Sequence, residues 1–106
     1  MPKYLWKGQY RPEGVKGLLK EGGTAREKAV AQLLQSAGGK LEAYYYAFGE
    51  YDAYVIVDLP DNATATSVSL AIAAAGVTHV ETIPLLTGEE VDQAVKKPVR
   101  YRPPGT

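Results

Sequence analysis

A histidine and a carboxylate two residues apart, His79 and Glu81, sit in the run Val-Thr-His-Val-Glu-Thr-Ile-Pro at 77–84. In an extended strand alternate side chains project to the same side, so this pair shares a row with Val77 and Ile83. A histidine near its natural pKa beside a carboxylate is a plausible general base. The hydroxyl it would work with comes from the tyrosines: five of the eight lie in the stretch Tyr-Tyr-Tyr-Ala-Phe-Gly-Glu-Tyr-Asp-Ala-Tyr-Val-Ile-Val-Asp-Leu-Pro at 44–60, together with the only phenylalanine. Tyr46 is the candidate partner, with Tyr44 and Tyr54 as further hydroxyls in reach if the row lines an enclosed space. The same residues have a structural reading. His79 is then a hydrogen-bonded or surface strand residue, and Glu81 a solvated edge charge that discourages sheet-to-sheet aggregation.

No other reactive set can be assembled. The chain has no cysteine and one histidine, with no close-spaced ligands, so no metal and no cofactor are expected. No Ser-His-Asp arrangement is available. Asp52, beside a glycine hairpin, suits a bond to a turn amide, and Asp58 a strand-end or capping role. Glu89, Glu90 and Asp92 fall in the first turn of a helix, where the dipole favours acids without any ion. Gly17 to Gly23 lacks the spacing of a phosphate loop.

The elements that position these residues follow from periodicity and punctuation. Residues 3–10 alternate and end at Pro12, a strand. A short helical turn around Val15, Leu18 and Leu19 closes at Gly22-Gly23. Thr24 to Glu27 reads as a capping box opening a helix whose apolar face is Ala29, Val30, Leu33, Leu34 and Ala37. Gly38-Gly39 stops it. Two β-rich runs, 40–48 and 51–59, meet around Gly49-Glu50 as a hairpin. Pro60-Asp61-Asn62 starts a second helix with Ala65, Val68, Ile72 and Ala75 buried, stopped by Gly76. A fourth strand, 77–86, precedes a second capping box, Thr87 to Glu90, and a short helix carrying Val91, Ala94 and Val95. The order is β-α-β-β-α-β plus a small helix: an α+β, ferredoxin-like antiparallel sheet with both helices on one face. Residues 1–97 form that domain, and 98–106, with three prolines and two arginines, an extended tail.

Strand alternation then sorts the rings. The row Ala53, Val55, Val57 and Leu59 suits alanine-rich helices, which leaves Tyr54 and Ile56 on the face with no helix. Unbroken alternation in the preceding strand adds Tyr44, Tyr46 and Phe48 to that face. Buried aromatics are worth about 1.5–3 kcal/mol each, too much apolar surface to leave wet. A second copy of the same sheet, packed face to face, is the cheapest cover.

At 106 residues, 45% apolar and 23% charged, the chain is one ordinary domain. Twelve basic and twelve acidic residues cancel, without the basic excess of a nucleic-acid binder. No 18-residue apolar run and no signal-peptide segment is present, so the expectation is a cytoplasmic protein with neither membrane nor nucleic acid as partner.

The central Gly49-Glu50-Tyr51-Asp52 and the Val-Ile-Val-Asp-Leu-Pro after it resemble the GYD domain family of small bacterial proteins, as do the opening Tyr-x-Trp strand, Gly38-Gly39-Lys40-Leu41 and Ala75-Gly76. Glu50 stands between the glycine and tyrosine of the motif here. The resemblance implies a dimeric α/β barrel, with two sheets closed on one another, and supplies Gly49, Tyr51 and Asp52 as motif residues but no catalytic ones. Two functions are therefore expected. One is a homo-oligomeric binding or interaction module sheltering a small apolar or aromatic ligand between paired sheets. The other is a cofactor-independent oxygenase or isomerase using His79 and a tyrosine.

Overall fold

The computed structural model describes residues 1–106 and runs β1 (Lys3–Tyr10), α1 (Pro12–Glu21), α2 (Gly23–Ser36), β2 (Lys40–Tyr46), β3 (Ala53–Asp58), α3 (Asn62–Ala75), β4 (Thr78–Leu85) and α4 (Gly88–Val95). The four strands form one sheet of order β2-β3-β1-β4, every neighbouring pair antiparallel. With α2 and α3 over one side, this is the ferredoxin-like α+β plan.

Local chemistry accounts for most boundaries. Asp61 caps α3, its carboxylate accepting from the Thr64 amide at 2.8 Å, and Gly76 ends the helix in the left-handed region at φ 74°. Thr87 and Glu90 close a full capping box on α4. The expected box at Thr24 does not form. The first helical segment is ten residues rather than a turn, entered through Pro12, whose missing N–H costs nothing there. It runs on to Glu21, and Gly22 at φ 83° makes the corner, so α2 begins at Gly23 and Thr24 lies inside its first turn without capping it.

The core lies between the sheet and the helices. Tyr4 and Trp6 of β1, Val55 and Val57 of β3, Leu34 of α2, and Ala65 and Val68 of α3 are all buried there, with Ala53 and Leu59. The aliphatic row of β3 thus faces the helices as its alternation predicts.

The strand before it does not keep its alternation. Leu41 pairs with Val57, but Ala43 pairs with Ile56 and Tyr44 with Val55, a register shift between Leu41 and Ala43. One extra residue in the strand reverses the side on which every later residue points. Tyr44 and Tyr46 therefore lie on the helix side, level with Val55 and Ala53, and Tyr45 lies opposite Tyr54 on the open side. This corrects the assignment of Tyr44 and Tyr46 to the helix-free face. Phe48 belongs to neither face: it lies beyond the end of β2, in the connection to β3, and is fully exposed.

Only 11 of 106 residues are buried, and the chain exposes 7575 Å². A compact monomer of 11.4 kDa presents about 5,800 Å². The radius of gyration is 16.9 Å, against about 13 Å for a compact chain of this length. Residues 86–106, α4 included, are the main reason: every one is exposed, and they extend away from the body as an arm.

Candidate functional site

Tyr4, Trp6, Gly8 and Tyr10 form the helix-side row of β1. Gly8 is a gap in that aromatic row. A methyl group placed there would meet only Ala53 and Thr78 side-chain carbons, both at 3.8 Å. Above the gap, α2 and α3 stand apart, and a cleft of about 190 Å³ opens between sheet and helices. Val30 and Leu33 of α2 and Ile72 of α3 wall it on one side; Trp6, Tyr10 and Tyr44 line the sheet side.

The polar groups of this cleft are few. Trp6 is 4% exposed; its indole Nε1–H is closed off from the cleft as well as from solvent and has no hydrogen-bond partner in the protein. Leaving such a donor unpaired costs about 1–3 kcal/mol. The Tyr10 and Tyr44 hydroxyls lie 3.1 Å apart and share a hydrogen bond. Next to them the Tyr46 ring is tilted against Tyr44, centroids 5.0 Å apart, and the Tyr46 hydroxyl donates to the Gly23 carbonyl at 3.0 Å. Burial, and then the bond to Tyr10, push the Tyr44 pKa well above the ordinary phenol value; burial raises Tyr46 as well. Both stay protonated at neutral pH and serve as hydrogen-bonding groups rather than bases. Arg26 is the only charged lining residue, and its guanidinium lies 3.5 Å from Glu21. No carboxylate lines the cleft.

The residues first singled out for acid–base work lie on the opposite side of the sheet. His79 pairs across from Gln9, and Glu81 from Lys7, both on the open face. His79 is exposed, and its imidazole makes no hydrogen bond. Tyr46 is on the helix side, so His79, Glu81 and Tyr46 do not converge. The tyrosine beside Glu81 is Tyr51. The Glu81 carboxylate next to its hydroxyl raises the Tyr51 pKa, and Lys7 stands 4.2 Å over its ring and 3.7 Å from Glu81. Tyr54 meets the Tyr51 ring edge-on at 6.5 Å.

The Gly49–Asp52 motif holds the β2–β3 connection to β1. The Asp52 carboxylate accepts from the Tyr10 amide at 2.9 Å, and its own amide donates to the Gly8 carbonyl at 2.8 Å. Gln9 Nε2 donates to the Glu50 carbonyl at 3.0 Å. The amide Asp52 serves is thus on the central strand rather than in its own turn. By fixing Tyr10, it also positions one wall of the cleft. Asp58 ends β3; Lys3 binds one of its oxygens at 2.9 Å and Glu42 at 2.7 Å, while Asp58 Oδ2 is buried without a partner.

Trp6, Tyr10 and Arg26 are site residues that sequence reasoning passed over. A signal existed: an aromatic row in β1 interrupted by a glycine marks a hole. Tyr45 was missed for want of the bulge, whose trace is Leu41 and Tyr44, two residues in need of cover at an odd spacing.

No helix of the protein is long and apolar enough to cross a membrane. No three His, Asp or Glu side chains gather as a metal site. Neither a curated protein nor a solved structure matches the sequence significantly. A family model for the GYD domain matches residues 4–95, which hold all four helices, the cleft, the Asp52 clamp and every strand residue except Lys3: the chain belongs to the GYD domain family.

Proposed function

We propose that this protein is a self-associating module that binds a small apolar ligand in the cleft between its sheet and its helices. The carrying observation is the cleft itself, about 190 Å³ between sheet and helices, with 11 of its 14 lining residues hydrophobic and Trp6, Tyr10 and Tyr44 along its sheet side. The ligand thus sits on the helix side of each sheet rather than between two sheets.

Self-association rests on what the single chain leaves uncovered. Tyr45 (73% exposed) and Tyr54 (39%) lie directly opposite one another on the open face, with Ile56 and Ile83 nearby. The excess of exposed area is of the order of 1,800 Å² per chain, so about 3,600 Å² for a pair, within the range of about 2,000–5,000 Å² that obligate homodimers bury. The arm adds a charge argument. Four of the twelve cations (Lys96, Lys97, Arg100 and Arg102) and none of the twelve acids lie in residues 96–106, leaving residues 1–95 with eight cations against twelve acids. Counted from residue 86 the arm also holds Glu89, Glu90 and Asp92, so only its last eleven residues are basic; these, with Val91 and Val95 exposed on α4, are what the arm offers a second copy.

Native mass spectrometry of the full chain, purified gently from its own host, tests both halves. A dimer or larger assembly retaining a small organic mass is the expected result. A monomer would defeat the association reading. An assembly that never holds added mass, under any load of small aromatics, would defeat the ligand reading.

A further inference from the structure

The arm carries a segment patterned to pair with a strand, and the sheet leaves one regular edge unpaired. Resting on the self-association proposed above, we propose that residues 99–102 of one copy add a fifth, antiparallel strand to the free edge of β4 in a second copy. Its place at the end of the sheet order leaves β4 without a neighbour on its outer side, and eight consecutive pairs with β1 keep that edge regular. The other edge strand, β2, is kinked by its bulge. Which groups face outward follows from the pairing. The Val77 carbonyl accepts from the Arg11 amide on the β1 side, so the odd-numbered residues of β4 bond to β1 and the even-numbered ones face out. Thr78, Val80 and Thr82 therefore present amides and carbonyls at the free edge, and Pro84, with no amide, ends the run. Such an edge is a template for a further strand.

Val-Arg-Tyr-Arg at 99–102 alternates apolar and cationic residues between Pro98 and Pro103. All four are exposed, and the hydrogen bonds of residues 98–106 stay within the tail. One register satisfies every constraint. With Val99 opposite Thr82 and Tyr101 opposite Val80, two residue pairs exchange both backbone bonds and no proline amide is called on. Val99 and Tyr101 then lie on the helix side, over the groove between α3 and β4 lined by Ala65, Leu70, Ala73, Val80 and Thr82, where Leu70 is 65% exposed. Arg100 and Arg102 lie on the open face opposite Glu81 and His79, and Arg100 meets one of the acids that outnumber cations in residues 1–95. Sliding the tail two residues one way sets Pro103 against Val80 and Val99 against Pro84, and bonds are lost. Sliding it the other way moves Arg100 from Glu81 to His79 and calls on the Lys97 amide, which already donates to Ala94. A one-residue slip would turn both arginines into the groove. In its own chain the arm extends away from the body, so the edge it fits belongs to a second copy.

The chain has no cysteine, so introduced ones report cleanly. The full chain carrying Glu81→Cys and Arg100→Cys would be oxidised and read by denaturing mass spectrometry, beside native mass spectrometry of the unaltered protein. Residues facing each other outside the bonded pairs have Cα atoms about 4.5 Å apart, within disulfide reach. The expected product is two chains joined by two disulfides, each linking position 81 of one to position 100 of the other. Glu81→Cys with Tyr101→Cys, whose side chains would fall on opposite faces, is expected to stay unlinked, and efficient linkage there would overturn the register. Val99→Pro removes a bonding amide at a residue exposed in its own subunit, and should raise the dissociation constant of the assembly roughly tenfold. An oxidised single chain would show the tail on its own sheet and overturn the exchange. An assembly that forms without the 81–100 link, or that withstands Val99→Pro, would overturn the strand pairing while leaving self-association in place. A native monomer at every concentration would instead overturn the self-association on which this inference rests.

Discussion

The two faces of this sheet are built from the same four strands and meet opposite fates. On the helix side, Tyr4, Trp6, Val55 and Val57 are buried under α2 and α3, and a cleft opens at Gly8. On the open side, Leu5, Tyr45, Tyr54, Ile56 and Ile83 meet no element of the chain, interspersed with Lys3, Lys7 and Glu81. One face finishes its packing within the subunit, while the other presents apolar and ionic groups together. That mixture resembles an interface more than a core, since subunit contacts tolerate charges that a folding core excludes. The difference teaches where each kind of side chain acts: helix-side residues govern whether the subunit folds and what it holds, open-face residues govern what it meets.

Substitutions that separate stability from association break or sharpen that contrast. The largest effect is expected on the helix side. Leu34, fully buried in α2, should cost about 2–5 kcal/mol when replaced by alanine, read as a lowered urea midpoint. If Leu34→Ala leaves the midpoint in place, the helix side is not the core of the molecule in solution. Tyr54→Asp should do the reverse, shifting sedimentation toward the single subunit while changing the stability of that subunit by no more than about 0.5 kcal/mol. An unchanged assembly would remove the open face from the interface. A charge placed at Tyr46 would not probe that face, because Tyr46 points to the helices.

Two smaller effects refine each side. The raised Tyr44 pKa means that the unfolded chain loses this proton near pH 10 while the folded chain keeps it, so the stability it confers is complete below pH 10 and falls as pH rises further. Tyr44→Phe should flatten that alkaline loss in pH-dependent unfolding; an identical slope in the variant would place the titration elsewhere. Thr87→Ala removes the α4 cap at a cost of about 1 kcal/mol, local to the arm. Hydrogen exchange should accelerate in α4 and leave β1 and β3 untouched, and faster exchange throughout the sheet would mean that the arm stabilises the whole subunit.

Much of the fold was legible from one-dimensional signals because its boundaries are local. Asp61 and Gly76 bracket α3, Thr87 and Glu90 open α4, and β3 alternates Ala53, Val55, Val57 against Tyr54, Ile56, Asp58; each is a statement about residues within a few positions of one another. The capping box at Thr24 failed because a stronger local fact, ten residues of helix entered at Pro12 and turned at Gly22, had already set the start of α2.

The candidate site was less legible, since it depends on register and on side-chain partners far apart in sequence. The pairing of β2 against β3 decided that Tyr44 and Tyr46 face the helices and Tyr45 the open side, which no count along β2 alone could settle. Likewise Asp52 reaches Tyr10 and Tyr51 meets Lys7, contacts spanning more than forty positions that exist only once the β2–β3 connection folds over β1. The sequence by itself determined the order of strands and main helices and the family, because these follow from short-range periodicity and motif residues. Only the tertiary structure decided which rings build a cleft and which stay exposed on the open face. A single extra residue at the bulge in β2 turns every later side chain to the other face, and the cost of that choice is set by the strand lying beside it.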